Sequence, residues 1–266
     1  MKTFKWKNED INQWLFLEDA VLAHNLIASN VKCLEIGTWK GGWILSLLVN
    51  DLTRQAVCVD PYPNLEYVRD MFIETANARA SGRFVLYSDL EQVEEYEHDI
   101  EFAAVHIDGI HSQEAVTRDL HFAVKKLSPT GVVVVDDIFY HDFPGVTAAT
   151  FQLLEVLDLA PFLFSRKKLY LCRKSQHSYY YKEAKNIVME MKLKFSEDQT
   201  ITGTSGPYVQ RSSINGHSLI ILDEIGVNLA YTRKILKIKI NPSPKVIARL
   251  ILPPILLSLY RKIRNT

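Results

Sequence analysis

Cys33-Leu34-Glu35-Ile36-Gly37-Thr38-Trp39-Lys40-Gly41-Gly42 is the stretch on which the fold turns. A short apolar run ends in an acid, a glycine loop follows, and an apolar helical pattern from Trp39 to Asn50 begins at once. This is a strand feeding a helix through a loop whose backbone can approach a ligand, with free N–H groups at the helix start. Similar apolar runs recur at Ala56 to Val59, Phe84 to Tyr87, Ala103 to Ile107 and Gly131 to Val135. Helical patterns lie between and after them at Asn64 to Ala80, Ser112 to Lys126 and Gly145 to Leu157. Alternation of this kind predicts an α/β, doubly wound, Rossmann-like sheet: parallel strands buried on both faces, with helices on each side.

Further out, Ile11 to Ala28 reads as an amphipathic helix, and Leu127-Ser128-Pro129-Thr130-Gly131 ends one helix and begins a strand. Phe162 to Ser165 and Leu169 to Arg173 flank Arg166-Lys167-Lys168 as a hairpin that closes five parallel strands. One domain is expected over 1–174 and an extension over 175–266. The extension shows a helical pattern to Lys194, a Ser/Thr/Gly-rich stretch from Thr200 to Gly216, one strand-like run from Leu219 to Leu222, and a tail.

With 266 residues, 47% of them hydrophobic, the chain can bury a full core and is neither disordered nor disulfide-rich in composition. Lys+Arg and Asp+Glu both number 31, which argues against a nucleic-acid partner. No acid follows Glu224, yet Arg233, Lys234, Lys237, Lys239, Lys245, Arg249, Arg261, Lys262 and Arg264 all do, so the tail is basic. Its run from Val246 to Tyr260 is broken by Arg249 and Pro253-Pro254 and falls short of the ~20 residues of a membrane span. Cys33, Cys58 and Cys172 sit in strand-like runs, as buried thiols of a reducing compartment do. Charged residues at the N-terminus interrupt any signal-peptide core, so a cytoplasmic protein is expected.

Four groups of residues could carry chemistry. Glu35, two residues before Gly37, suits a cationic amino-acid ligand, whereas Trp39 stands where a dinucleotide loop needs its second glycine. Asp60, ending Val57-Cys58-Val59-Asp60-Pro61, either accepts both hydroxyls of a ribose or caps a helix. Asp108, in Val105-His106-Ile107-Asp108-Gly109-Ile110-His111, and the pair Asp136-Asp137 end adjacent strands at one rim. Carboxylates ~4 Å apart there repel by roughly 4 kcal/mol per pair at an effective dielectric of 20. A cation belongs between them, and oxygen ligands select Mg²⁺, Mn²⁺ or Ca²⁺ over zinc; the alternative is helix caps and solvated loop acids. His111, three residues past Asp108, has the ordinary pKa of a general base. His141, in Phe139-Tyr140-His141-Asp142, is less directly placed.

This ordered set, with Asp119-Leu120, Leu127-x-Pro129-x-Gly131 and Gly145-Val146, resembles class I S-adenosylmethionine-dependent methyltransferases over about residues 10–173. Within them it is most similar to the metal-dependent group that includes macrolide-sugar and aminocoumarin-sugar O-methyltransferases and cephalosporin-hydroxylase-like proteins. The resemblance implies S-adenosylmethionine held by Glu35, Gly37, Thr38 and Gly41 at its methionine end and by Asp60 at its ribose. Ser88 or Asp89 would lie at the adenine, with the choice open, and Asp108 also borders the cofactor. It implies Mg²⁺ on Asp108, Asp136 and Asp137, with Asp108 and His111 catalytic and His111 the base. The reaction would be O-methylation of a sugar, glycan, small polyol or phenol. Gln113-Glu114, where the family often has an aromatic residue, and the Phe139-Tyr140-His141-Asp142 loop depart from its pattern and leave the acceptor open. A nicotinamide-dependent oxidoreductase or a non-catalytic nucleoside-binding module would share the sheet. The tail is compatible with packing on the core, with a homo-oligomer interface, or with peripheral contact at the inner membrane face.

Overall fold

The computed structural model describes residues 17–196 and 209–222. Helix α1 (Leu17–Leu26) precedes β1 (Lys32–Ile36), α2 (Gly42–Asn50), β2 (Gln55–Val59), α3 (Glu66–Ala80) and β3 (Phe84–Tyr87). After these come α4 (Leu90–Tyr96), β4 (Phe102–Ile107), α5 (Gln113–Lys126), β5 (Leu127–Val135) and α6 (Pro144–Leu153). β6 (Leu159–Ser165), β7 (Lys168–Arg173), α7 (His177–Ser196), β8 (Val209–Ile214) and β9 (His217–Leu222) complete the described chain. All pair in one sheet of order β3-β2-β1-β4-β5-β7-β6-β9-β8, in which β1 to β5 are mutually parallel and β7 runs antiparallel to β5. The doubly wound sheet read from the sequence is therefore the observed one.

Val57, Leu34, Val105 and Val133 lie side by side in register on neighbouring strands with no exposure, so the apolar runs are apolar because both faces are covered. α5 shows how its covering helix is specified. Ser112 caps it by accepting from the Ala115 N–H, Glu114 and Lys125-Lys126 complement its two ends, and Val116, Leu120 and Ala123 form the buried stripe. Between β1 and β4 the order reverses: the chain leaves β1 toward β2 and returns past it to β4. Open α/β sheets bind ligands at the carboxyl ends of the strands beside such a reversal.

Several boundaries differ from those expected. α2 starts at Gly42, not Trp39, because Trp39 and Gly41 both have positive φ (47° and 71°) and cannot continue a right-handed helix. The seven-residue α4 was hidden by its acidic, weakly apolar sequence. β5 begins at Leu127, with an irregular register against β4 that accommodates Ser128-Pro129-Thr130. α6 stops at Leu153. Within the Ser/Thr/Gly-rich stretch, residues 209–214 form β8, joined to β9 by Asn215-Gly216, both with positive φ as a two-residue hairpin turn requires. β9 continues the sheet alongside β6, so part of the extension belongs to it. Of the expected N-terminal helix, Ile11 and Trp14 lie outside the described residues, as does the whole tail from Val246 to Tyr260. Among the described residues no helix is long and apolar enough to cross a membrane.

Candidate active site

The loop after β1 is built by its neighbours. A Cβ on Gly37, at φ 83°, would overlap the Asp108 backbone carbonyl, and one on Gly41 would meet the Phe72 ring. Both glycines are thus fixed by contact with the protein itself, a different physical reason from a ligand's approach. Asp60 grips this loop with one oxygen, accepting from the Trp39 N–H at 2.8 Å, and with the other accepts from the Tyr62 N–H. The Tyr62 hydroxyl donates to the Trp39 carbonyl at 2.5 Å. Thr38 is buried, its N–H on the Val59 carbonyl and its hydroxyl on the Glu35 carbonyl. Asp89 caps α4 by accepting from the Gln92 N–H and also takes the Ser88 hydroxyl, while the Ser88 N–H donates to the Gln92 side chain.

Glu35 closes the floor of this cleft at 2% exposure. Its Oε1 accepts from His106 Nδ1 at 3.1 Å, and its Oε2 is buried without a hydrogen-bond partner. Burial pushes its pKa well up, Asp108 adds to the rise, and Lys168 and the Ile44 N–H oppose it. The Trp43 indole N–H, also buried and unpartnered, lines the same cleft, as do Gly37, Thr38, Trp39, Asp108, Asp136 and Lys168. An unmet carboxylate acceptor and an unmet N–H donor side by side fit an ammonium-and-carboxylate ligand such as the methionine end of S-adenosylmethionine.

At the ends of β4 and β5 the three expected aspartates converge, but with cations of the chain's own among them. Lys168 Nζ, 4% exposed, pairs with Asp136 Oδ2 and donates to His106 Nε2 at 3.2 Å. That donation makes Nε2 the acceptor, so His106 holds its proton on Nδ1, toward Glu35. His106 stacks on Trp43 at 4.7 Å, and burial holds its pKa well below 6.5, with Lys168 lowering it further. Burial alone would lower Lys168, but Asp136, Asp108 and Asp19 outweigh it and raise it. Burial raises Asp108; for Asp136 it is overcome by Lys168 and His106, and the net shift is downward.

His111 Nε2 lies 3.5 Å from Asp108 and 3.2 Å from Asp137, ion-pair contacts without hydrogen-bond alignment, and these two carboxylates raise its pKa to about 9. Lys167 Nζ reaches Asp137 at 3.1 Å and sits over the Tyr140 ring. Among the described residues, two groups bring ligand atoms within 4.8 Å of one another, His106–Asp108–Asp136 and Asp108–His111–Asp137. Their carboxylate-rich donor sets suit a hard divalent cation. His141 is exposed, paired with adjacent Asp142 and set edge-on to the neighbouring Tyr140 ring.

Lys167, Lys168 and the roles of His106 and Trp43 were not found in the sequence. The lysines come from the β6–β7 hairpin, some thirty residues beyond Asp136, and only pairing of β7 with β5 brings them to the rim. The aromatic residue missing after His111 is supplied from elsewhere: Phe143 stacks on His111 at 4.0 Å. Phe139, at φ 60° and 61% exposed, stacks against Phe151 and meets Phe164 edge-on.

Residues 34–138 match a family model described as a methyltransferase domain. No curated protein matches the chain. Among solved structures, a putative O-methyltransferase from Klebsiella pneumoniae aligns with TM-score 0.50 and 14% identity over 60% of this chain and 82% of that one, a likeness of fold. The apo structure of a TDP-rhamnose 3′-O-methyltransferase of calicheamicin biosynthesis aligns with TM-score 0.48 and 16% identity over 59% and 77%. An O-methyltransferase from Bacillus cereus in complex with S-adenosylhomocysteine aligns with TM-score 0.46 and 15% identity over 62% and 81%.

Proposed function

We propose that the chain, whose residues 34–138 match a methyltransferase-domain model, is a class I S-adenosylmethionine-dependent O-methyltransferase acting on a hydroxyl of a small molecule, a sugar or glycan by preference. The observation that carries this reading is the buried, unpartnered Glu35 oxygen in a cleft that also contains Asp108 and Asp136, with His111 and Asp137 alongside. Glu35 takes the cofactor's ammonium. Asp60 continues to hold the loop while its carboxylate borders the ribose, and Ser88 or Asp89 borders the adenine. Phe139 gives the acceptor an exposed ring to lie against, a common way to bind the apolar face of a sugar.

Asp108 and Asp137, beside Asp136, would hold a hard divalent cation, and such an ion would supply charge that acidifies the acceptor hydroxyl. His111 takes that hydroxyl's proton at Nε2, which it can do only when Asp108 and Asp137 are otherwise engaged and no longer hold it protonated. Bound S-adenosylmethionine would supply the methyl group, its carbon–sulfur bond breaking as the acceptor oxygen bonds the methyl carbon, and in-line positioning by the cleft would supply much of the rate. A cytoplasmic setting suits the three buried free thiols. A tail that touches anionic lipid would suit a lipid-linked glycan acceptor.

Calorimetry of the purified chain with S-adenosylmethionine, in parallel with NAD⁺ and with or without Mg²⁺, tests this directly. S-adenosylmethionine should bind in the micromolar range and NAD⁺ should not. Binding of NAD⁺ alone would turn the reading to an oxidoreductase, and binding of neither to a non-catalytic module.

A further inference from the structure

We propose that Lys168 is the resident cation of the His106–Asp108–Asp136 cluster, which restricts any divalent ion to the adjoining Asp108–His111–Asp137 cluster. The two clusters share Asp108 and have similar donor sets. They differ in what already fills them. In the first, the Lys168 ammonium touches both His106 Nε2 and Asp136 Oδ2, two atoms themselves 3.9 Å apart, and so lies where a metal bound to that pair would have to sit. It is held there rigidly, because Lys168 opens β7, pairs with Ser165 across a tight turn and is followed by Leu169 opposite Val135. Its side chain, 5% exposed, is almost wholly buried among these partners. A divalent ion on the same carboxylate would face this ammonium at close range, and like charges in a poorly solvated site repel strongly.

The second cluster is filled more loosely. The side chains of His111 and Lys167 are 29% and 39% exposed against 5% for Lys168, so neither is confined as Lys168 is. Lys168 is therefore a positioning residue. Its ammonium fixes His106 with the Nδ1 proton toward Glu35, and this ties the acid that faces the cofactor to the acids that face the acceptor. The lysine's place in the first cluster rests on geometry alone; only the divalent ion in the second rests on the proposed function.

Titration of the full chain with Mn²⁺ alone, followed by calorimetry and by the Mn²⁺ electron paramagnetic resonance signal, separates the two. The wild type should bind one ion, lost in Asp137→Asn. Lys168→Met, which keeps the stem and removes the charge, should gain a second ion, and Lys168→Arg should not. The gained site should vanish in the Lys168→Met/Asp136→Asn double variant. A folded Lys168→Met with wild-type stoichiometry overturns the proposal, and so does wild-type Mn²⁺ binding that survives Asp137→Asn. If the wild type binds no Mn²⁺ while Lys168→Met binds one, the lysine's role stands and the divalent ion in the proposed function falls. Should Lys168→Met not fold, Lys168→Gln provides the same comparison.

Discussion

Glu35 is the residue whose chemistry is most exposed to test. A carboxylate oxygen left unpartnered in a closed cleft costs the free protein stability and repays a cationic ligand, because a charge-assisted hydrogen bond contributes about 1.5–3 kcal/mol. Glu35→Gln should therefore bind S-adenosylmethionine about 10–100-fold more weakly by calorimetry, with an unchanged circular dichroism spectrum; an equal dissociation constant would remove Glu35 from the cofactor site. His111 yields a pH prediction of definite sign. Its folded pKa of about 9 lies above the ordinary 6.5, so its pairing with Asp108 and Asp137 is fully present below about pH 6.5 and is lost as pH rises through about 9. In chelator, the wild type should lose roughly 1–2 kcal/mol of stability across that window, discounted for its partial exposure. His111→Gln should lack this slope in a denaturant series, and a wild type as flat as the variant would refute the pairing. Asp108, Asp136, Asp137 and His111 were legible because each stands at the end of an apolar run, where strand polarity alone sends it to the rim. Their electrostatic partner was not: the need for a cation was readable from the carboxylates, but its being in part Lys168 depends on a pairing between β5 and β7.

At the scale of elements, the loop between β1 and α2 is held from three sides. Gly37 presses on the backbone after β4, Gly41 on α3, and Asp60 after β2 clamps the intervening Trp39. Both the positive φ and the occupied space exclude a side chain at Gly37. Gly37→Ala should destabilise the fold by about 3 kcal/mol or more, as strain and overpacking combined predict, read as a lower denaturant midpoint. A near-neutral variant would mean that the rim can spread without cost. The strands and most helices were readable because their periods, turns and caps are local. What escaped had a local signal too weak or of another kind: α4 is short and acidic, and β8, Val209-Gln210-Arg211-Ser212-Ser213-Ile214, is mostly polar without an apolar run. The Asn215-Gly216 turn was the sign that a hairpin crosses the Ser/Thr/Gly-rich stretch.

For the whole molecule, the even balance of charge conceals a division. Nine basic residues and no acid follow Glu224, so the preceding chain carries nine more acids than Lys and Arg together, and the described rim contributes Glu35, Asp60, Asp108, Asp136 and Asp137 to that excess. A cationic segment containing the apolar run from Val246 to Tyr260 meets the two requirements of a peripheral membrane contact, charge for anionic headgroups and apolar area for the interface. A chain ending at Asn241 loses Lys245, Arg249, Arg261, Lys262 and Arg264 together with that run, and each basic residue near an anionic surface contributes about 1 kcal/mol. In flotation with phosphatidylserine-containing vesicles, the full chain should rise with the lipid at low salt and be released by salt, while the shortened chain stays behind. Equal flotation of the two would exclude lipid as the tail's partner. It would direct attention to the core or a second copy, where the acidic majority of the chain offers the same tail a surface of opposite charge.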